Sequence, residues 1–326
     1  KAGIGKVVNV VRIYDGSNGM GYAGTSAIAH GLQVSPSAYL VDPNAPGGSA
    51  ANDAEIANLI AVLKDPSTDL SKIPFIDVGS DFLTNNPAQH DYLAGRIKFV
   101  KDQLPSVMVT SSDSANIYAN TDVGSLVDVI FPTFSPFAQG GAVTVGSANI
   151  FFQLQYGPLA DKFTTKNIVV SGIGWPSSGI NGSAVGSVAN EEAFWSQFVL
   201  SANQNKINYL GFEAFDTPTN TNTAFSGGSW GLYTASGTPK GAVTSFSAAP
   251  PPVIAGTAGG QQTTDFATLS PFARVAIGDP DTTQTEAVTI ELSATANGTL
   301  SHLGGGSYNT LTGIYTITGT AATVTS

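Results

Sequence analysis

The stretch Ile168-Val169-Val170-Ser171-Gly172-Ile173-Gly174-Trp175-Pro176-Ser177 decides the architecture. It is a short apolar run that breaks at a Gly-Trp-Pro-Ser turn. A helix pattern over 191–203 and a second apolar run over 207–215 follow it. A strand, a helix and another strand at this spacing imply parallel pairing with the helix outside the sheet. Working outward, the same alternation covers the first three quarters of the chain. Strand-like runs fall at 7–14, 32–41, 73–79, 107–111 and 127–134, and helix patterns at 53–63, 88–103 and 150–161. Within residues 55–63 apolar side chains return every three or four positions, as on one helix face. Asn52 or Asp53 is expected to cap that helix, and Pro87 to stand in the first turn of the next. Over about 250 residues the two solutions are an open doubly wound sheet and a barrel. No GxGxxG joins a strand to a helix and no GxxxxGK[ST] occurs, so an α/β barrel of the TIM type is preferred.

The composition changes at Ala248-Ala249-Pro250-Pro251-Pro252, a stiff linker of polyproline type. Of the 13 basic residues only Arg274 follows it, together with five of the 23 acids. Three segments are read: the barrel over 1–248, the linker over 249–252 and a Thr-, Ala- and Gly-rich module over 253–326. In the last, residues 287–292 and 313–318 alternate apolar with polar side chains between turn signals such as Asn297-Gly298. A small antiparallel β-sandwich, truncated at its end, is expected there. The acidic turn at Asp279 and Asp281 could hold a structural calcium ion through oxygen ligands, or be an ordinary turn. No other cofactor is expected.

The chain of 326 residues contains no cysteine, which excludes a disulfide framework, a thiolate metal site and a cysteine nucleophile. Its net charge of −10 leaves no basic surface for nucleic acid. No apolar run reaches the roughly 18 residues that would span a bilayer. His30, His90 and His302 show no metal-ligand spacing. Asn181-Gly182-Ser183 and Asn297-Gly298-Thr299 match the glycosylation sequon, but they are also good turns. Charged residues at 11%, with much Gly, Ser, Thr and Ala, fit an exported bacterial protein, extracellular or at the cell surface. The chain opens at Lys1 with neither an initiator Met nor a signal peptide, so both ends are read as cut from something longer.

In a parallel barrel, chemistry gathers at the C-terminal ends of the strands. Those tips read Val11-Arg12-Ile13-Tyr14-Asp15, Val78-Gly79-Ser80-Asp81, Phe131-Pro132-Thr133-Phe134-Ser135-Pro136-Phe137, the 169–177 stretch and Phe212-Glu213-Ala214-Phe215-Asp216. Ser229-Trp230-Gly231-Leu232-Tyr233 follows the last strand. In this order, over residues 7–246, they resemble glycoside hydrolase family 17, the β-1,3-glucanases and β-1,3-glucanosyltransferases. The resemblance implies a retaining eight-stranded barrel with signatures close to V-G-N-E, h-P-[FY], V-S-E-T-G-W-P-S and F-E-A-F-D-E-x-W-K. It places Asp81 at the acid position and Gly172 at the nucleophile position. Ser80 stands where the family Asn contacts the sugar 2-hydroxyl, and Ser135 where a His is usual. Ile173, Thr217, Thr219 and Asn220 replace the family Thr, Glu, Trp and Lys. A retaining glycosidase needs two carboxyl groups about 5–5.5 Å apart. Glycine supplies none, so the resemblance implies a surviving scaffold on which the family mechanism is lost. Only six residues precede the first strand run. The eighth barrel strand is therefore expected to be absent or upstream of Lys1, leaving an edge that a neighbouring subunit could cover.

Several readings stay open at this stage. Arg12, Tyr14, Ser80, Ser135, Phe137, Trp175 and Trp230 are the candidate sugar-binding residues, and Trp175 is either a stacking face or core. Asp81 and Glu213 could form an inverting acid–base pair, or Glu213 could hold Arg12 or a tyrosine in a buried network. Three functions remain. The first is a non-catalytic barrel that binds β-glucan or another polysaccharide, or serves extracellular assembly. The second is an active β-1,3-glucan hydrolase or transglycosylase using Asp81 and Glu213. The third is a purely structural subunit of an extracellular polymer. Asn297-Gly298-Thr299-Leu300 and Gly304-Gly305-Gly306-Ser307-Tyr308 loosely resemble tandem β-modules of exported proteobacterial proteins. Self-association or further β-modules are accordingly expected partners.

Overall fold

The apolar runs become short parallel strands because both of their faces are covered. The computed structural model describes residues 9–14, 23–138, 143–218, 228–247, 253–256, 259–264, 267–278 and 285–325. The chain divides into two compact units, residues 1–247 and 248–326. The first unit opens with β1 (Val10–Ile13), α1 (Thr25–Ala29), β2 (Gln33–Tyr39), α2 (Gly48–Lys64) and β3 (Ile76–Gly79). It continues through α3 (Phe82–Asn85), α4 (His90–Gln103), β4 (Val109–Thr110), β5 (Asp113–Ser114), α5 (Ala115–Asn120), α6 (Val123–Leu126) and β6 (Pro132–Thr133). Then come α7 (Val145–Lys162), β7 (Val169–Ile173), the hairpin β8 (Ile180–Asn181) and β9 (Ala184–Val185), α8 (Val188–Asn205), β10 (Asn208–Gly211) and α9 (Thr244–Ser247).

Two four-stranded sheets, β1-β2-β3-β4 and β5-β6-β7-β10, carry parallel pairs throughout. β4 and β5 are two halves of one strand path, interrupted at Ser111 and Ser112. Seven parallel strand positions are thus present among the described residues; residues 1–8 lie outside them. Where the two sheets meet, the rings of Tyr14 and Phe212 touch edge to face at 6.3 Å. Between α7, α8 and the sheet, Phe134, Phe137, Phe152, Trp175, Phe194, Trp195 and Phe198 form a fully buried aromatic core. Each such side chain contributes roughly 1.5–3 kcal/mol by leaving water.

Two helix-start expectations are corrected. α2 begins at Gly48, so Asn52 lies in its second turn. Its buried amide accepts from Val41 N and donates to Val41 O, both at 2.8 Å, and so pins the helix to the end of β2. α4 begins at His90, and Pro87 stands in the turn before it.

In the second unit, β11 (Val253–Ala255) and β12 (Ala276–Gly278) form one antiparallel pair. β15 (Ile314–Gly319) lies between β13 (Glu286–Glu291) and β14 (Ser307–Asn309) in a three-stranded antiparallel sheet, before α10 (Ala321–Thr325). Linker residues 249–252 and the acidic pair Asp279 and Asp281 lie outside the described residues. Among the described residues no helix is long and apolar enough to cross a membrane. No group of three His, Asp or Glu side chains there forms a metal site.

Candidate active site

The strand tips converge on a buried ion pair that the motif comparison had not singled out. Asp77, inside β3, is fully buried, and Arg12 of β1 reaches it with Nη2. The carboxylate also accepts from the hydroxyls of Ser37 at 3.0 Å, Ser80 at 3.0 Å and Ser112 at 2.9 Å, and from Ser112 N at 2.6 Å. Arg12 Nη1 donates to Ser171 O of β7 at 3.1 Å, which ties the two sheets together. A buried charge is tolerated when it is paired and hydrogen-bonded in this way. Burial is the largest influence and works against the Arg12 charge, but Asp77, Tyr14 and Asp81 together outweigh it and hold the guanidinium protonated. Of the open readings for Glu213, the one that gave it Arg12 as partner is replaced: Arg12 is held by Asp77. Ser80 likewise turns its hydroxyl into this network.

Asp81 follows at the tip of β3. Both Ser80 (φ 52°) and Asp81 (φ 56°) adopt left-handed backbone, which costs about 1 kcal/mol or more per residue. The Asp81 amide is held by Ser112 O at 2.8 Å. The next residues form α3, whose first amides are taken by Asp113: Leu83 N at 2.7 Å and Thr84 N at 3.0 Å. The Asp81 carboxyl receives the Thr133 hydroxyl at 3.4 Å. Burial, with the Asp113 charge adding to it, pushes its pKa up. Asp81 opens on a cavity of about 690 Å³ shared with Ser114, Asn116, Thr133, Ser135 and Gln155. No cation lines it. Hydroxyls and amides around one carboxyl suit a neutral, hydroxyl-rich ligand.

Gly172 lies between the two carboxyl-bearing tips. It pairs with Thr133 on the Asp81 side, and β10 runs along the other. A Cβ built there would meet Phe212 Cβ at 3.8 Å and Thr133 Cγ2 at 4.0 Å, which is ordinary contact. Two residues on, Gly174 allows no side chain, because its Cβ would come within 2.1 Å of Phe212 O. Glu213 follows Phe212, accepts the Thr217 hydroxyl at 3.0 Å, and has its pKa raised by burial.

The aromatic candidates separate. Trp175 is in the core: its indole donates to Val185 O at 3.0 Å, and its ring packs on Phe137 and Phe194. It offers no face to a sugar, and Phe137 is equally buried. Trp230 is half-buried and lies edge-on to Phe137 and Phe212. Tyr14, 41% exposed, stands over the Arg12 guanidinium. Asp77, Ser112 and Asp113 were the residues missed. The one signal for Asp77 was a charge inside the apolar run 73–79.

Asp81 follows β3 and Glu213 follows β10, at the C-terminal ends of parallel strands, where the sites of barrel enzymes lie. Residues 3–231 match the BtgE/BtgC glycoside hydrolase domain, and the chain belongs to that family. Among curated relatives, the glucan 1,3-beta-glucosidase of Arthroderma benhamiae is 28% identical over 182 residues, 51% of this chain and 59% of that protein. The glucan endo-1,3-beta-glucosidase btgC of Emericella nidulans is 26% identical over 192 residues, 52% of this chain and 29% of that protein. The chain thus spans well under two thirds of the length of either. Among solved structures, the family 17 β-1,3-glucanosyltransferase from Rhizomucor miehei aligns with a TM-score of 0.64. It covers 73% of this chain and 86% of that one at 24% identity, which shows the TIM-barrel type of fold. An active-site mutant of the same enzyme in complex with laminaritriose aligns at 0.63, with 25% identity over 71% and 84% of the two chains.

Proposed function

We propose that the barrel is a glucan-binding domain of an extracellular or cell-surface protein in which the family's two-carboxylate hydrolysis has been lost. The observation that carries this reading is Gly172. A Cβ at this position meets only ordinary contacts, yet the residue there has no carboxyl group to attack a sugar. The cavity that Asp81 lines with hydroxyls and amides, and without a cation among the described residues, supports retention of a neutral ligand. The relatives' names and the laminaritriose complex favour a β-1,3-glucan. Assembly with further β-modules, through a second unit read as a β-sandwich, completes the proposal.

Titration calorimetry with laminaritriose and laminarin, paired with a reducing-sugar assay, tests it. Saturable binding without sugar release is expected. Absence of binding overturns the glucan reading and leaves a structural role in a polymer, which sedimentation would show as self-association. Sugar release overturns the loss of catalysis.

A second reading has its own support. Burial raises the pKa of both Asp81 and Glu213, as a general acid requires. In an inverting reaction one carboxyl protonates the leaving oxygen while the other, ionised, activates water in the space at Gly172. That enzyme would release the product with inverted anomeric configuration, visible by proton NMR in the first minutes. Asp81→Asn and Glu213→Gln would each abolish the release.

A further inference from the structure

A second cluster of ionisable groups is bonded to the segment 229–231 that carries Trp230, outside the residues used above. Glu191, in the first turn of α8, has a fully buried side chain whose two oxygens make no hydrogen bond. The Lys240 ammonium, 9% exposed, stands 3.5 Å from it. The same ammonium donates to Asp216 Oδ1 and to Ser177 Oγ, each at 2.8 Å, and reaches Ser229 O at 3.5 Å. Asp216 Oδ1 in turn accepts Gly231 N at 2.9 Å, and Ser177 N donates to Ser229 O at 2.8 Å. One lysine therefore joins the loop after β7, the loop after β10 and the segment 229–231 that carries Trp230.

We propose that Glu191, Lys240 and Asp216 form a proton-operated clamp that sets the position of the 229–231 segment, which carries Trp230. With Glu191 protonated, Lys240 has one anionic partner, Asp216, and the cluster is neutral. Ionised Glu191 is a second carboxylate competing for the same ammonium. It draws Nζ away from Asp216, Ser177 and Ser229, and the segment bearing Trp230 loosens.

The charges acting on Glu191 are Lys240, Asp216 and its helix neighbour Glu192. Residues 241–247, packed on the same helix, carry no ionisable side chain. The α7 residues that meet α8, Gln153 at Ser201 and Phe152 at Phe198, are uncharged. Burial, opposed by Lys240, pushes the Glu191 carboxyl up to about 7. The switch therefore falls near neutral pH.

The test needs no sugar, so it stands or falls separately from the glucan reading. Tryptophan fluorescence of the full chain, followed from pH 5 to 9, reads Trp175, Trp195 and Trp230. A transition centred near pH 7 is expected in the wild type, and its loss in Glu191→Gln. A flat wild-type profile, or the same transition in the variant, overturns the proposal. Should Glu191→Gln fail to fold, carbon NMR of carboxyl-labelled glutamate in the wild type decides. A glutamate titrating together with the fluorescence supports the clamp; none titrating above pH 6 overturns it.

Discussion

At Gly172 the backbone is that of an ordinary strand residue. It pairs with Thr133, its carbonyl accepts Phe134 N at 3.1 Å, and it is not among the glycines with positive φ. Nothing in the local conformation demands glycine, and an added Cβ meets only ordinary contacts. Ser80 and Asp81 present the reverse case, since they carry side chains where glycine would be conformationally cheaper. The strain is offset at Ser80 by its bond to Asp77, and it aims Asp81 into the cavity. Gly172→Ala should accordingly stabilise the first unit by about 0.4–1 kcal/mol, through lower entropy of the unfolded chain. Calorimetry would then show a melting temperature higher by about 1–3 °C. A fall of several degrees would mean that the space at Gly172 is not available.

Among the elements, α3 shows how the site depends on a residue outside it. Four residues make too short a helix to hold by itself, and Asp113 of β5 supplies acceptors for Leu83 N, Thr84 N and the Thr84 hydroxyl. Asp113→Ala is expected to cost about 1–2 kcal/mol, in the range of a lost helix cap, and to weaken laminarin binding by loosening the turn at Asp81. Asp113→Asn, which keeps one acceptor, should lose less of both. Equal loss in the two variants, by thermal melt and calorimetry, would argue that charge and not capping is what matters. The strands were legible because each is a short apolar run closed by turn residues, and the tips because their motifs occur in order. Helix starts were less legible, since Asn52 answers to Val41 on another element and not to its own helix end. Asp77 and Asp113 escaped for the same reason. Their partners lie on other elements, 65 residues away at Arg12 of β1 and about 30 away at Leu83 and Thr84 of α3, and no local pattern encodes such a pairing. Trp175 carried a recognisable motif, but its surroundings of Phe137 and Phe194 turned it into core.

For the molecule as a whole, these carboxyls set how stability depends on pH. Asp81, Asp113, Glu191 and Glu213 all have raised pKa values, burial being the first cause of each. A group whose folded pKa is raised binds more protons in the folded state, so the stability it contributes is lost as pH rises through the folded value. For Glu191 the window runs from the ordinary 4.5 to about 7, a difference on the order of 3 kcal/mol across it. Asp65 and Asp69, lowered by bonds from Ser67 and Ser71, and Asp128, lowered against its burial by Lys101, act in the opposite sense. Their contribution is present above the usual aspartate range and fades as pH falls through their folded values. The melting temperature of the first unit should therefore peak on the acid side of neutrality, near pH 5, and decline towards pH 8. Glu191→Gln should flatten the decline while leaving the acid limb in place. A wild-type melting temperature that climbs steadily from pH 5 to 8 in scanning calorimetry would show that these buried carboxyls are ionised without penalty, and both the clamp and the acid role of Asp81 would lose their physical basis.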